Sequence, residues 1–324
     1  MACQEDDSQH FKGTHEVQEC LEGEAEADLH THFADCTKNP GHAGFIPVNK
    51  FTVGHFPSGY HDNDLYELTK AVADITVSIA VKFTSPDRPE FVPGTQDPYP
   101  CYSSRGKKLL RTGTGRVFAL TKYTEGMDRA DGDYRTCPCP ECVKSATPSK
   151  VWWEIFVQTA RHVVFDESEA RQSSCRLWFD DDQSPVVKMC GLGMDVSVTE
   201  GDMCDVYYAT HDVQVGDRLQ EMGKRYSQLG GKVIQKYRDG RDVDKLTIIV
   251  SHPHGCSKQV SVGHWVHREV LGDDGNYKFT KYRYTNSTCP GSSGALVYIV
   301  GCWSVHPHSG SKPDGINYSG VMLE

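Results

Sequence analysis

Between Cys289 and Ala295 the chain reads Cys-Pro-Gly-Ser-Ser-Gly-Ala. A serine that attacks a carbonyl needs its hydroxyl on a tight turn and backbone N–H groups free to face the oxyanion that develops. Gly291 and Gly294 supply the backbone freedom and leave room for a substrate. The apolar run 296–301 sets the turn at the head of a strand. Ser293 is therefore the candidate nucleophile; Cys289, which lacks flanking glycines, is not. His162, in Val157-Gln158-Thr159-Ala160-Arg161-His162-Val163-Val164, leaves a strand-like run ahead of the serine and suits a general base. A second cluster, Cys137-Pro138-Cys139-Pro140-Glu141-Cys142, offers three thiols within six residues. That density suits a structural tetrahedral zinc, with Cys175 or Cys101 as the fourth ligand, and free thiols or a redox pair as the alternative. His30-x-His32-x3-Cys36 contains ligand types without a second pair at a set spacing, and reads as part of a solvated tail.

Taken alone, the serine segment reads better as a plain glycine-serine turn. The nucleophile elbow of α/β-hydrolases, G-x-S-x-G, fails at Ala295, at the polar stretch before the turn and at the β-like run after it. In that fold the acid and the histidine follow the serine, and only about thirty residues remain. The histidine decides between these readings. Thr159-Ala160-Arg161-His162 resembles the Thr-Ala-x-His segment around the general base of trypsin-like serine proteases. Thr210-His211-Asp212-Val213-Gln214-Val215 resembles the family's aspartate followed by alternating apolar residues, and Asp205-Val206-Tyr207-Tyr208 fits the same pattern. Asp212 is preferred because it stands just before the connector between halves, where the family places this residue. The order His, Asp, Ser is that of the class. Thr112-Gly113-Thr114-Gly115-Arg116-Val117 resembles the strand ahead of the histidine. Val250-Ser251-His252-Pro253-His254-Gly255 is similar to a stretch of bacterial glutamyl endopeptidases and HtrA-like proteases. Val305-His306-Pro307-His308-Ser309-Gly310 resembles the wall of the specificity pocket, and 315–321 the closing strand. The resemblance covers roughly residues 75 to 324.

The resemblance implies an all-β fold of two six-stranded barrels with the site in the cleft between them. It implies a serine endopeptidase in which Ser293 attacks a peptide carbonyl, His162 takes its proton and the aspartate holds the imidazole in the right tautomer. The N–H groups of Gly291 and Ser293 would hold the oxyanion. Catalysis of this kind needs no cofactor, and the partner is a peptide or protein substrate. Several positions depart from the pattern. Ser292 stands where trypsin-like enzymes usually have aspartate, Gly294-Ala295 replaces Gly-Gly, and no Arg/Lys-Ile-Val-Gly-Gly activation site occurs. Ser287 occupies the place of trypsin's pocket aspartate, which removes support for an Arg or Lys preference. Glutamyl endopeptidases recognise an acidic side chain through a histidine on the pocket wall, and His308 or His306 would do so here. The competing reading is a catalytically silent protease fold used as a binding module.

These residues need a scaffold, and the chain supplies one. Residues 1–60, acidic and poor in periodic apolar positions, read as a flexible tail, and 61–324 as the protease domain. Within it, 62–73 has helical periodicity, 75–83 alternates as a strand, and 84–106 is a Pro, Gly and Ser-rich loop. Short strand-like runs then recur to the end of the chain, interrupted by a helical connector at 217–238. The first barrel spans about 75–215 and the second about 243–324. A net charge of −10 argues against nucleic acid as a partner, and no apolar run reaches membrane-spanning length. The polar, acidic start lacks a secretory signal, so the protein is expected in the cytoplasm, with its thirteen cysteines as thiols or metal ligands rather than disulfides. The sequence carries no signal for oligomeric state.

Overall fold

The computed structural model describes residues 13–125, 127, 134–198, 201–273, 275 and 277–324, without the side chains of 196–198. Its strands are β1 (Thr14–His15), β2 (Gln18–Glu19), β3 (Ile46–Pro47), β4 (Thr76–Val81), β5 (Arg111–Tyr123), β6 (Trp152–Ala160), β7 (Ser173–Leu177) and β8 (Val187–Val198). There follow β9 (Met203–Thr210), β10 (Leu246–Ser251), β11 (Gln259–Asp273), β12 (Lys278–Tyr284), β13 (Leu296–Ile299), β14 (Val305–Ser311), β15 (Asn317–Ser319) and β16 (Met322–Leu323). The helices used below are α1 (Leu29–Ala34), α2 (Asn63–Ile75), α3 (Pro140–Val143), α4 (Glu167–Ala170) and α5 (Val213–Tyr237).

Antiparallel pairing closes two six-stranded barrels, one in the order β4-β5-β6-β9-β8-β7 and the other β10-β11-β12-β15-β14-β13. This is the architecture the resemblance implies. Closure satisfies every sheet edge inside each barrel, which is how an all-β core avoids unpaired strands. Alternation selects the interiors: Val77, Ile79 and Val81 of β4 meet Val157 and Val206 in the first core. Ile249, Val297, Tyr282 and Tyr284 fill the second. The opposite face of β10, with Ile248 and Val250, is covered by Leu65, Leu68 and Val72 of α2. Full burial of each of these leucines contributes about 1.5–3 kcal/mol.

The connector begins earlier than its apolar spacing suggests. Asp212 caps α5, its carboxylate accepting the N–H groups of Gln214 and Val215 at 2.9 and 3.2 Å. That cap satisfies otherwise orphaned donors of the first turn. Along α5, Leu219 packs into the first core and Val233 into the cluster against the second barrel, so one helix ties the two together. Among the described residues, no helix is long and apolar enough to cross a membrane.

Of the expected tail over 1–60, residues 1–12 lie outside the described residues. From Gly13 onward the chain is built into the fold. β1 pairs with β14, β2 with β5 and β3 with β11. Leu29, Val48, Phe51 and Phe56 are buried. These apolar residues are sparse and aperiodic because each fills one gap on a preformed surface, so an acidic composition concealed them.

Candidate active site

Strands β6 and β9 lie antiparallel with Ala160 opposite Met203. The residues just beyond those paired ends, His162 and Asp202, are therefore neighbours. The chain turns sharply after β6, with the N–H groups of Val163 and Val164 both on the Ala160 carbonyl. His162 Nδ1 lies 2.7 Å from Asp202 Oδ2 and 3.0 Å from Oδ1, and the His162 backbone N–H donates to Oδ1 at 3.1 Å. The Ser309 hydroxyl donates to the same carboxylate. On the other side of the ring, Nε2 is 2.6 Å from Ser293 Oγ. Burial works against the ionised Asp202, but the His162 charge and hydrogen bond, with His15 and Ser309, outweigh it and hold the carboxyl well below its ordinary range. Asp202 has φ of +54°, a left-handed conformation that a non-glycine residue keeps only when its contacts fix it.

The structure does not bring Asp212 to His162. Asp212 lies past the opposite end of the strand pair, where Thr210 faces Trp153, and its carboxylate is engaged in the α5 cap. Seven residue steps along β6 separate Trp153 from Ala160, a span of roughly 23 Å at the usual rise. Asp205 faces Gln158 inside the pair, with Gln158 Nε2 3.4 Å from its Oδ1. Asp202 was missed because Gly201-Asp202 reads as an ordinary turn. The usable signal is that it immediately precedes a strand long enough to pair with the strand carrying the histidine.

The serine turn is held by the first barrel. Thr114 N–H donates to the Ser293 carbonyl at 2.8 Å, and Thr114 Oγ1 to the Gly291 carbonyl at 2.8 Å. Both glycines are required. Gly291 has φ of +95°, and a Cβ there would stand 2.7 Å from the His252 carbonyl oxygen. Gly294 has φ of +85°, and its Cβ would stand 2.2 Å from the Thr114 oxygen. This backbone aims the N–H groups of Gly291 and Ser293 at one point. At that point sits the carbonyl oxygen of Glu16, 2.7 Å from the first and 3.3 Å from the second.

The Glu16 side chain enters a pocket in the second barrel. Its carboxylate meets His308 Nε2 at 2.8 Å and is paired with Lys38. Lys38 Nζ also donates to Thr288 Oγ1 and Asn317 Oδ1, each at 3.0 Å. The other ring nitrogen of His308 is 2.6 Å from the Tyr284 hydroxyl. Burial opposes the Glu16 charge, yet His308 and Lys38 hold its carboxyl down at about 2. Burial also pushes His308 below its ordinary range, and Glu16 partly restores it. Of the three residues expected to line this pocket, only His308 touches the acidic group. His306 turns into the barrel interior, where Nε2 is 3.0 Å from Thr280 Oγ1 and the ring packs on Tyr282. Ser287 sits over Gly44. Lys38, Thr288 and Asn317 were not anticipated; Lys38 lies in a segment read as tail.

A buried ionic group backs the histidine turn. Glu169 of α4 accepts Arg88 Nε and Nη2, both at 2.7 Å, and pairs with Arg111. Arg88 Nη1 donates to the His162 carbonyl at 3.0 Å and Arg111 Nε to that of Val163 at 2.9 Å. All three charged groups are hydrogen-bonded, as buried charges must be.

The thiols of Cys137, Cys139 and Cys142 converge with His211, all four ligand atoms lying within 4.8 Å of one another. Cys139 Sγ is 3.2 Å from His211 Nδ1 and accepts the Cys142 N–H at the start of α3. The expected fourth ligands do not join them. Cys175 is on β7 inside the first barrel core, and Cys101 lies beside Arg88 and Arg111. His30, His32 and Cys36 also diverge: His32 bonds Glu24 at 3.0 Å, while Cys36 Sγ faces Cys289 Sγ at 3.5 Å.

No protein-family model matches this chain, and no curated protein does. Solved protease structures are similar to it at low identity. HtrA-type protease AlgW with a tripeptide is 11% identical with a TM-score of 0.38, the match covering 79% of this chain and 58% of AlgW. Rv3671c protease from M. tuberculosis in its active form is 13% identical with a TM-score of 0.38, covering 80% of this chain and 82% of that one. The chain thus spans less than two thirds of the AlgW chain it is similar to.

Proposed function

We propose that this chain is a serine endopeptidase that cuts on the carboxyl side of glutamate, with His162, Asp202 and Ser293 as its catalytic set. The observation that carries the reading is the 2.6 Å contact between Ser293 Oγ and His162 Nε2, beside two backbone N–H groups that converge on a peptide carbonyl. In this reading Ser293 Oγ attacks the carbonyl carbon while His162 Nε2 takes its proton. Asp202 holds the ring with its Nδ1–H directed at the carboxylate and stabilises the imidazolium. The N–H groups of Gly291 and Ser293 stabilise the oxyanion, each such donor contributing about 10²–10³ in rate. His162 then returns the proton to the leaving amine, and water hydrolyses the ester by the reverse path. None of these steps uses a cofactor.

His308 and Lys38 meet the carboxylate at the pocket's end, with Thr288 and Asn317 accepting from Lys38 and holding it there, which supports an acidic residue before the scissile bond. The substrate is then a peptide or protein presenting glutamate in an extended segment, because the residues ahead of Glu16 pair with β14 as an extended strand. Cys137, Cys139, Cys142 and His211 fit a structural zinc, distant from the chemistry. The test is hydrolysis of a fluorogenic peptide carrying the sequence of residues 14–16 before an amine leaving group. The wild type should cleave it and Ser293→Ala should not. Equal cleavage by both would remove Ser293 from the mechanism.

A further inference from the structure

The segment around Glu16 is bound as a substrate would be. Thr14 pairs with Ser311 and His15 with Gly310, antiparallel, and the Glu16 N–H donates to the Ser309 carbonyl at 3.2 Å. The Glu16 carbonyl lies in the oxyanion amides and its side chain fills the acidic pocket, only 3% exposed. His15 packs its ring edgewise on His162, with centroids 4.5 Å apart. After Glu16 the chain changes barrels. Val17 packs against the first core, Gln18 and Glu19 pair with Thr112 and Arg111, and the Cys20 N–H reaches the Leu110 carbonyl at 2.8 Å. The Glu16–Val17 bond therefore crosses the cleft at the nucleophile, anchored by one barrel before it and the other after it. A strand that merely covered the cleft would need neither a carbonyl in those amides nor a carboxylate in that pocket.

We propose that the protein cleaves its own Glu16–Val17 bond within one chain. Ser293 Oγ bonds to the Glu16 carbonyl carbon and passes its proton to His162. The C–N bond to Val17 breaks, and the new Val17 amine takes that proton. Water then hydrolyses the Glu16 ester, freeing a carboxylate on Glu16 and restoring Ser293. Holding the bond in place makes the reaction unimolecular, so its rate is independent of protein concentration. This inference rests on the peptidase reading, and the experiment separates the two. Wild type and Ser293→Ala are followed by intact mass, while the fluorogenic peptide reports peptidase activity. The proposal expects wild type with a new N-terminus at Val17, formed at a rate unchanged by hundredfold dilution. Ser293→Ala and Glu16→Lys should stay joined, and Ser293→Ala should stay joined when wild type is added. Wild type that hydrolyses the peptide yet keeps the Glu16–Val17 bond overturns the inference and leaves the peptidase reading standing. Wild type that does neither overturns both.

An independent observation carries a second proposal. Cys36, His42, His254 and Cys289 are all buried, and their ligand atoms lie within 4.8 Å of one another. Cys36 Sγ to Cys289 Sγ is 3.5 Å, and Cys289 Sγ to His42 Nε2 is 3.7 Å. Tetrahedral zinc with its usual bond lengths to sulfur and nitrogen separates ligand atoms by about 3.3–3.8 Å. His254 Nε2 is buried without a hydrogen-bond partner, and its Nδ1 is 2.8 Å from Gln18 Oε1. That carboxamide fixes the tautomer with the Nε2 lone pair free, the outer-shell arrangement of a ligating histidine.

The geometry points to a second structural zinc at these four residues. It would fasten the segment after α1, through Cys36 and His42, to the serine loop through Cys289. The test is zinc content per chain in wild type, Cys36→Ser and His254→Ala, with cobalt-substituted wild type as a readout that does not depend on variants folding. Loss of one zinc per chain in each variant, and thiolate-to-cobalt charge transfer from all five thiols of the two clusters, are expected. Unchanged zinc in folded variants, or charge transfer from no more than the three thiols at 137–142, would overturn it.

Discussion

Replacing Asp202 by asparagine should silence the enzyme without unfolding it. The carboxylate accepts His162 N–H on Oδ1 at 3.1 Å, His162 Nδ1 on Oδ2 at 2.7 Å, and the Ser309 hydroxyl. An asparagine that keeps its oxygen toward the backbone N–H must turn its NH2 toward Nδ1. The ring then has to accept at Nδ1 and carry its proton on Nε2, the atom that must receive the Ser293 proton. The wrong tautomer costs a factor of about 10⁴ in kcat, or about 5 kcal/mol of barrier. Asp212→Asn is the matched control. Asparagine caps a helix as well as aspartate does, so kcat should be unchanged, and Asp212→Ala should cost only about 1 kcal/mol of stability. Steady-state kinetics on the peptide of residues 14–16 reads the rates, and urea unfolding the stabilities. An Asp202→Asn enzyme within tenfold of wild type, or an Asp212→Asn enzyme slowed a thousandfold, would refute the assignment.

Removing His308 as His308→Ala should lower kcat/KM on the glutamate peptide by about 10–100-fold, the weight of one hydrogen bond to a charged group, and narrow the preference over glutamine. Retained preference would put acid recognition elsewhere. Glu169→Ala leaves Arg88 and Arg111 buried without their carboxylate and should destabilise the fold by about 3–5 kcal/mol in urea unfolding; a loss under about 1 kcal/mol would contradict the pairing. Glu16 is held at about 2 against an ordinary 4.5, so between those values the folded chain binds fewer protons than the unfolded one. In the uncleaved Ser293→Ala chain this contributes stability that is complete above pH 4.5 and lost as pH falls toward 2. The stability gap to Ser293→Ala/Glu16→Gln should shrink on acidification, and a gap constant with pH would rule that out.

Much of the site could be read from the sequence because its pieces are local. The glycines around Ser293 and the strand running into His162 state their geometry within a few residues, and period-2 runs announce the barrels. What stayed hidden depends on register. Asp202 meets His162 only because Ala160 pairs with Met203, and an aspartate in a turn carries no mark of that pairing. Asp212 attracted the assignment by preceding a helix, which is where a capping aspartate also belongs. His211 reaches Cys139 from the far end of the same strand pair, a meeting that spacing along the chain does not announce. The 13–60 segment stayed illegible for another reason. Its strands pair with barrels formed elsewhere in the chain and its own contacts are short and scattered, such as His32 with Glu24, so it has no periodicity of its own.

The pairing of Ser293 with His162 is tested most directly by labelling the folded protein with a fluorophosphonate, with the modified residue located by peptide mass and Ser293→Ala and His162→Ala as controls. Modification at Ser293 is expected in the wild type, with none in either variant. A folded wild type that stays unmodified, or one modified equally without His162, would contradict it.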